Sequence, residues 1–95
     1  MAESRVTSAK LRSGAADLQK LNGQLRSKIS ELENAESSLN GMWDGDANDK
    51  FHLAFSRDKT QMYRFFDAVE QYIRALQQIA ENYEAAERKN IAVVS

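Results

Sequence analysis

His52 is the only imidazole in the chain, and with no second histidine and no cysteine it has nothing with which to complete a metal-ligand set. It follows Phe51 in what periodicity makes the opening turns of a helix, where a lone histidine is expected as a surface polar group. Asp44, Asp46 and Asp49 cluster near a turn, but they lack the further ligands and the distal glutamate of a calcium loop, and helix capping accounts for two of them. Glu31, Glu33 and Glu36 read as a solvated helix face. No nucleophile stands beside a base, so the chain is expected to be no enzyme and to carry neither cofactor nor metal. Thirteen basic residues against fourteen acidic ones leave a net charge of −1, too little to attract nucleic acid or an anionic membrane.

Two short stretches remain that something could read. GMWDG, residues 41–45, holds the one tryptophan and two of the four glycines. Gly41 and Gly45 are expected to permit a chain reversal there, while in helical phase Trp43 falls on the side of Leu25 and Leu32 and caps the end of a core. The second stretch is Tyr83-Glu84-Ala85-Ala86-Glu87. Positions 83 and 87 lie one above the other on a helix, presenting a phenol and a carboxylate together.

The elements that hold these stretches follow from periodicity. Leucines recur at 11, 18, 25, 32 and 39, a spacing of seven that keeps them on one helix face, with Ala15, Leu21, Ile29, Ala35 and Met42 widening the stripe. Thr7 suits the N-cap, flanked by Val6 and Leu11 as a hydrophobic staple. Beyond the turn, Phe55, Met62, Val69, Leu76 and Tyr83 repeat the spacing, joined by Phe51, Phe65, Phe66, Tyr72, Ile73, Ile79 and Ala80. Asp46 is placed to cap this second helix, with Asn48 and Asp49 in its first turn.

A single all-α domain over 1–95 follows, with helix one over about 7–42, a turn at 43–46, helix two over about 47–88 and a tail of 89–95. At 1.5 Å per residue each helix is roughly 55 to 60 Å long. A connection so short forces an antiparallel hairpin. Both stripes are wider than one partner helix can cover, so the hairpin is expected to dimerise into a four-helix bundle. Leu18, Leu25, Leu32, Phe51, Phe55, Met62, Phe65, Phe66 and Val69 are the candidate core and dimer residues. MAESRVTSAK has no apolar run, so export, if it occurs, is expected to use no ordinary signal peptide.

Trp43-Asp44-Gly45 at the centre of a chain of this length, followed by Ala47 in a W-x-G-x-A pattern and preceded by Val6-Thr7 and Leu11, resembles the WXG family. Its members are small type VII secretion substrates of Gram-positive bacteria and mycobacteria, similar to the early secreted antigens. Tyr83 and Glu87 match the tyrosine and acidic residue of that family's C-terminal export signal. The resemblance implies a secreted, virulence-associated protein made in the cytoplasm, with Trp43 and Gly45 of one subunit lying near Tyr83 and Glu87 of the other. It implies a homodimer, or a heterodimer with a sister chain, delivered to a secretion ATPase as an effector or as co-secretion partner of a larger effector. An intracellular helical adaptor, paired with a helical targeting domain of a larger secreted toxin, is the alternative. There Trp43 would only pack.

Overall fold

The computed structural model describes residues 7–43 and 45–94, the last four of these by backbone alone. Two helices, α1 (Ser8–Met42) and α2 (Asp46–Val94), form the antiparallel hairpin, and among the described residues there is no strand. Thr7 caps α1 as expected: its backbone is extended, its Oγ1 accepts from the Lys10 amide at 3.1 Å, and its carbonyl accepts from the Leu11 amide at 3.0 Å. The staple residue Val6 lies outside the described residues.

The second helix departs from expectation at both ends. Its first carbonyl acceptor is Gly45, which takes the Asp49 amide at 3.1 Å, so Gly45 rather than Asp46 is the cap. Asp46 is the first helical residue, and with Asp49 it places negative charge where the helix dipole favours it. At the other end the helix continues six residues past 88 to Val94. No glycine or proline follows Gly45 to stop it, and Ala85, Ala86, Glu87, Arg88 and Lys89 are all strong helix formers. The hairpin is accordingly 75 Å long and only 22 by 18 Å across.

Only one of the two turn glycines serves the reversal. Gly41 lies inside α1 with open space around it, whereas Gly45 has φ of +117°, a conformation that a side chain would strain.

The packed seam does not run along the leucines. Its centre is the neighbouring row of seven, Ala15, Asn22, Ile29 and Glu36, all buried, facing Asn48, Ile73 and Ala80. Two members of that row are polar, which is why a search for apolar periodicity settles on the leucines beside it. Leu11, Leu18 and Leu25 border the seam half-buried, and Leu32 and Leu39 are exposed. On α2, Phe55, Met62, Phe66 and Val69 are half-buried, while Phe51 and Phe65 are exposed.

The hairpin therefore has two unlike faces. On one, polar side chains at heptad spacing close over the seam. Arg12 donates twice to Glu84, both at 2.8 Å, Gln19 donates to Glu70 at 2.9 Å, and Arg26 lies over the rings of Tyr63 and Phe66. Glu33 accepts from the Tyr63 hydroxyl at 2.5 Å and pairs with Lys59 at 3.3 Å. The opposite face carries the leucine row of α1 and, on α2, Phe51, Phe55, Met62, Phe65, Val69, Tyr72, Leu76, Ile79 and Tyr83. These nine fall within an arc of about 120°.

Candidate functional site

At the turn, α1 ends on Met42 and Trp43 leaves it in an extended conformation. The indole is thus placed by the break in the helix and not, as its heptad position suggests, by helical phase. It leans on Phe51 with ring centroids 6.1 Å apart, and Phe51 in turn on Phe55 at 6.5 Å. This aromatic file begins the apolar face. Trp43 remains 37% exposed, so it closes no core. Asp44 lies outside the described residues.

Behind the aromatic file, polar contacts lock the base of the turn. Glu36, expected on a solvated face, is instead buried, and His52 Nδ1 meets its Oε2 at 2.5 Å. Asn48, expected to serve exposed amides in the first turn of α2, points into the seam and donates from Nδ2 to Asn40 Oδ1 at 2.8 Å. His52 is thereby the partner of a buried carboxylate rather than a surface group. Sequence reasoning missed Glu36 because it sought only apolar members of each heptad. The signal was there: position 36 continues the row of 15, 22 and 29.

Among the other acidic residues, Glu31 faces water beside Lys28 at 3.4 Å. The Glu33 carboxyl is held below the usual carboxylate range by the Tyr63 hydroxyl and by Lys59, and the same hydrogen bond pushes the Tyr63 phenol up. Glu70 is lowered by the amides of Asn22 and Gln19, Glu84 by the Arg12 guanidinium. These shifts belong to the contacts that close the polar face. Among the described residues, no three His, Cys, Asp or Glu side chains are grouped to hold a metal ion, and no helix is long and apolar enough to cross a membrane.

At the far end, Tyr83 and Glu87 are both exposed, one turn apart, while Glu84 between them is drawn to Arg12 across the polar face. Tyr83 stands thirty-eight residues beyond Gly45 along α2, a span of roughly 55 Å. A single chain therefore presents Trp43 and Gly45 at one end and Tyr83 and Glu87 at the other, and brings the two pairs nowhere near each other.

A hairpin of two long helices, broken at its centre by W-x-G, is matched over residues 3–88 by the model of a family described as proteins of 100 residues with WXG. The chain belongs to the WXG100 family. Among solved structures it is similar to the secreted protein EsxB of Bacillus anthracis strain Sterne, at 29% identity and a TM-score of 0.81, covering 92% of this chain and 99% of that one. A second crystal form of EsxB matches at 30% identity and a TM-score of 0.77, with 87% and 89% covered. Comparison with curated proteins finds no significant match. The WXG100 family is one of helical hairpins, not of enzymes.

Proposed function

We propose that this WXG100 protein is a substrate of a type VII secretion system, exported folded and as a dimer. Its signal is composite: Trp43 and Gly45 of one subunit beside Tyr83 and Glu87 of the other. The observation that carries this reading is the roughly 55 Å between the two halves in one chain. A receptor that reads both at once needs a second chain to bring them together. The apolar face supports the same conclusion, because Leu21, Phe65 and Tyr72 are each about three-fifths exposed along it, more apolar surface in one stripe than a soluble monomer ordinarily leaves in water. Similarity to a secreted EsxB supports export itself; on this reading the secretion ATPase is the receptor and the protein an effector or the carrier of a larger one.

Separating cells into lysate and culture medium, with the secretion ATPase present or deleted, tests this. The protein is expected in the medium only when the ATPase is present. Retention in the lysate in both strains, bound to a larger helical protein, would replace the reading with that of an intracellular adaptor docking through the same face.

A further inference from the structure

We propose that Glu36, His52, Asn40 and Asn48 are positioning residues for the turn: a polar latch that holds Phe51, and through it Trp43, in the orientation a receptor reads. That Trp43 is read rests on the export signal proposed above. That the latch sets its orientation rests on what is buried at the turn end of the hairpin.

Among the described residues, the buried apolar side chains all lie away from the turn: Ala15 and Ile29 on α1, Ile73 and Ala80 on α2. Between Ile29 and the turn, and between the turn and Ile73, the buried side chains are Glu36 and Asn48 alone, 9% and 6% exposed. Each is bonded to the other helix. His52 Nδ1 meets Glu36 Oε2 at 2.5 Å, and because a carboxylate only accepts, Nδ1 carries the proton. Asn48 Nδ2 donates to Asn40 Oδ1 at 2.8 Å. The two pairs are sixteen and eight residues apart in the chain, so both are centred on the same point of the turn. On either helix their members stand one turn apart, and the pairs form successive rungs. The end of the hairpin that carries the tryptophan is therefore held by polar rungs where the rest is held by an apolar core.

The rungs are a costly way to hold two helices together. Asn48 Oδ1 is buried and finds no hydrogen-bond partner among the described residues, and the Glu36 carboxylate is drawn out of water beside a half-exposed ring. Apolar pairs in the same places would remove both penalties. What apolar pairs lack is direction: they tolerate many angles, whereas two hydrogen-bonded rungs fix the rotation of α2 and its level against α1. Phe51 lies between the rungs in sequence. At about 100° per residue its side chain leaves α2 roughly 80° round from theirs, on the apolar side, where its ring meets the indole. Trp43 has by then left α1 in extended backbone, two residues before Gly45. Phe51 is the aromatic it leans on, and the rungs decide where Phe51 stands.

Trp43 is the only tryptophan, so fluorescence of the full chain reports on this position alone. Glu36→Leu and His52→Leu are combined in one protein, so that no carboxylate is left buried without its partner. Asn48→Ala, which leaves no polar atom of its side chain behind, repeats the comparison should the two leucines not fit. Both proteins are expected to melt no lower than the natural one. In both, Trp43 is expected to become more open to acrylamide than its present 37% exposure allows, and the near-ultraviolet dichroism of its pair with Phe51 is expected to fade. Export, as the ratio of medium to lysate, is expected to fall about tenfold, the factor for a readable pose populated about a tenth of the time. Glu36→Gln keeps an acceptor for Nδ1 and is expected to keep both export and quenching as they are. A merely structural role would instead let export follow the melting temperature. Unchanged quenching in the variants, or altered quenching with normal export, would overturn the latch and leave the secretion reading standing. If the natural protein itself stays in the cell, the secretion reading falls; quenching that rises in the variants then still supports the latch, and quenching that does not overturns it.

Discussion

Trp43→Leu separates a tryptophan that packs from one that is read. With 37% of its surface exposed, Trp43 withdraws about 150 Å² from water, and a leucine in its place would withdraw about 90 Å². The difference is worth roughly 1.5 kcal/mol at 25 cal/mol per Å², an upper figure because an unfolded chain already hides some of that area. The tilted contact with Phe51 adds about 0.5 kcal/mol, so a total near 1 to 2 kcal/mol is expected. In a domain of this size that lowers the melting temperature by roughly 5 to 15 °C. Against a typical stability of about 5 to 15 kcal/mol, nearly all the protein stays folded. Loss of packing therefore cannot abolish export. The assay measures melting by circular dichroism and the ratio of medium to lysate for the same variant, alongside Tyr83→Leu and Glu87→Gln. Export is expected to fail in all three while the dimer persists. Normal export of Trp43→Leu at wild-type folded levels would refute the motif reading and leave the indole as packing alone.

The two turn glycines are expected to respond with opposite signs. Gly45→Ala forces a side chain onto φ of +117° and should cost about 1 to 2 kcal/mol in denaturant melts, whereas Gly41→Ala, in the last turn of α1 with open space around it, should be neutral or add up to about 1 kcal/mol. Ile29→Ala, at a side chain 1% exposed, should cost about 2 to 5 kcal/mol, against about 0.5 kcal/mol or less for Leu53→Ala at 70% exposed. Acid should loosen the polar face. Glu33, Glu70 and Glu84 have folded pKa values below their unfolded ones, so their contribution is complete above the ordinary carboxylate range near 4 and disappears as pH falls through the folded values. Tyr63 is raised, so its contribution holds below about 10 and is lost as pH climbs past its folded value. Thermal melts from pH 3 to 11 read both limbs, and a flat profile in acid would refute the first.

The hairpin was legible because each of its causes is local. A repeat of seven, one glycine at the turn and a cap at Thr7 require no knowledge of the far half of the chain. What the repeat could not tell was which row of the stripe lies at the seam. Leu18, Leu25 and Leu32 are the most apolar row, yet Ala15, Asn22, Ile29 and Glu36 are the buried one. Asn22 is acceptable there only because Glu70 and the Phe66 carbonyl receive its amide, and Glu36 only because His52 reaches it. Those partners come from the other helix, thirty or more residues away for Asn22, and no window along one helix contains them. The end of α2 lies beyond the expected boundary at 88 for a simpler reason: Ala85 to Lys89 are strong helix formers and neither glycine nor proline follows them, so the helix runs on through Asn90 to Val94.

The arrangement of polar groups also explains why a chain would put its leucines at the border and its asparagine inside. A seam made only of leucines would accept any register that kept them facing one another. Asn22 and Glu36 accept one, since each is satisfied only when a particular residue of α2 stands opposite, and slipping by one turn would leave a buried amide and a buried carboxylate unpaired at a cost of about 1 to 3 kcal/mol or more each. Alanines at 15 and 80 let the helices approach closely around these contacts. The hairpin thus fixes its own alignment with polar groups and small residues around Ile29 and Ile73, and most of the other large apolar side chains lie half-buried or exposed along the opposite face. That division places Trp43 and Tyr83 at opposite ends of a single apolar stripe, roughly 55 Å apart along α2.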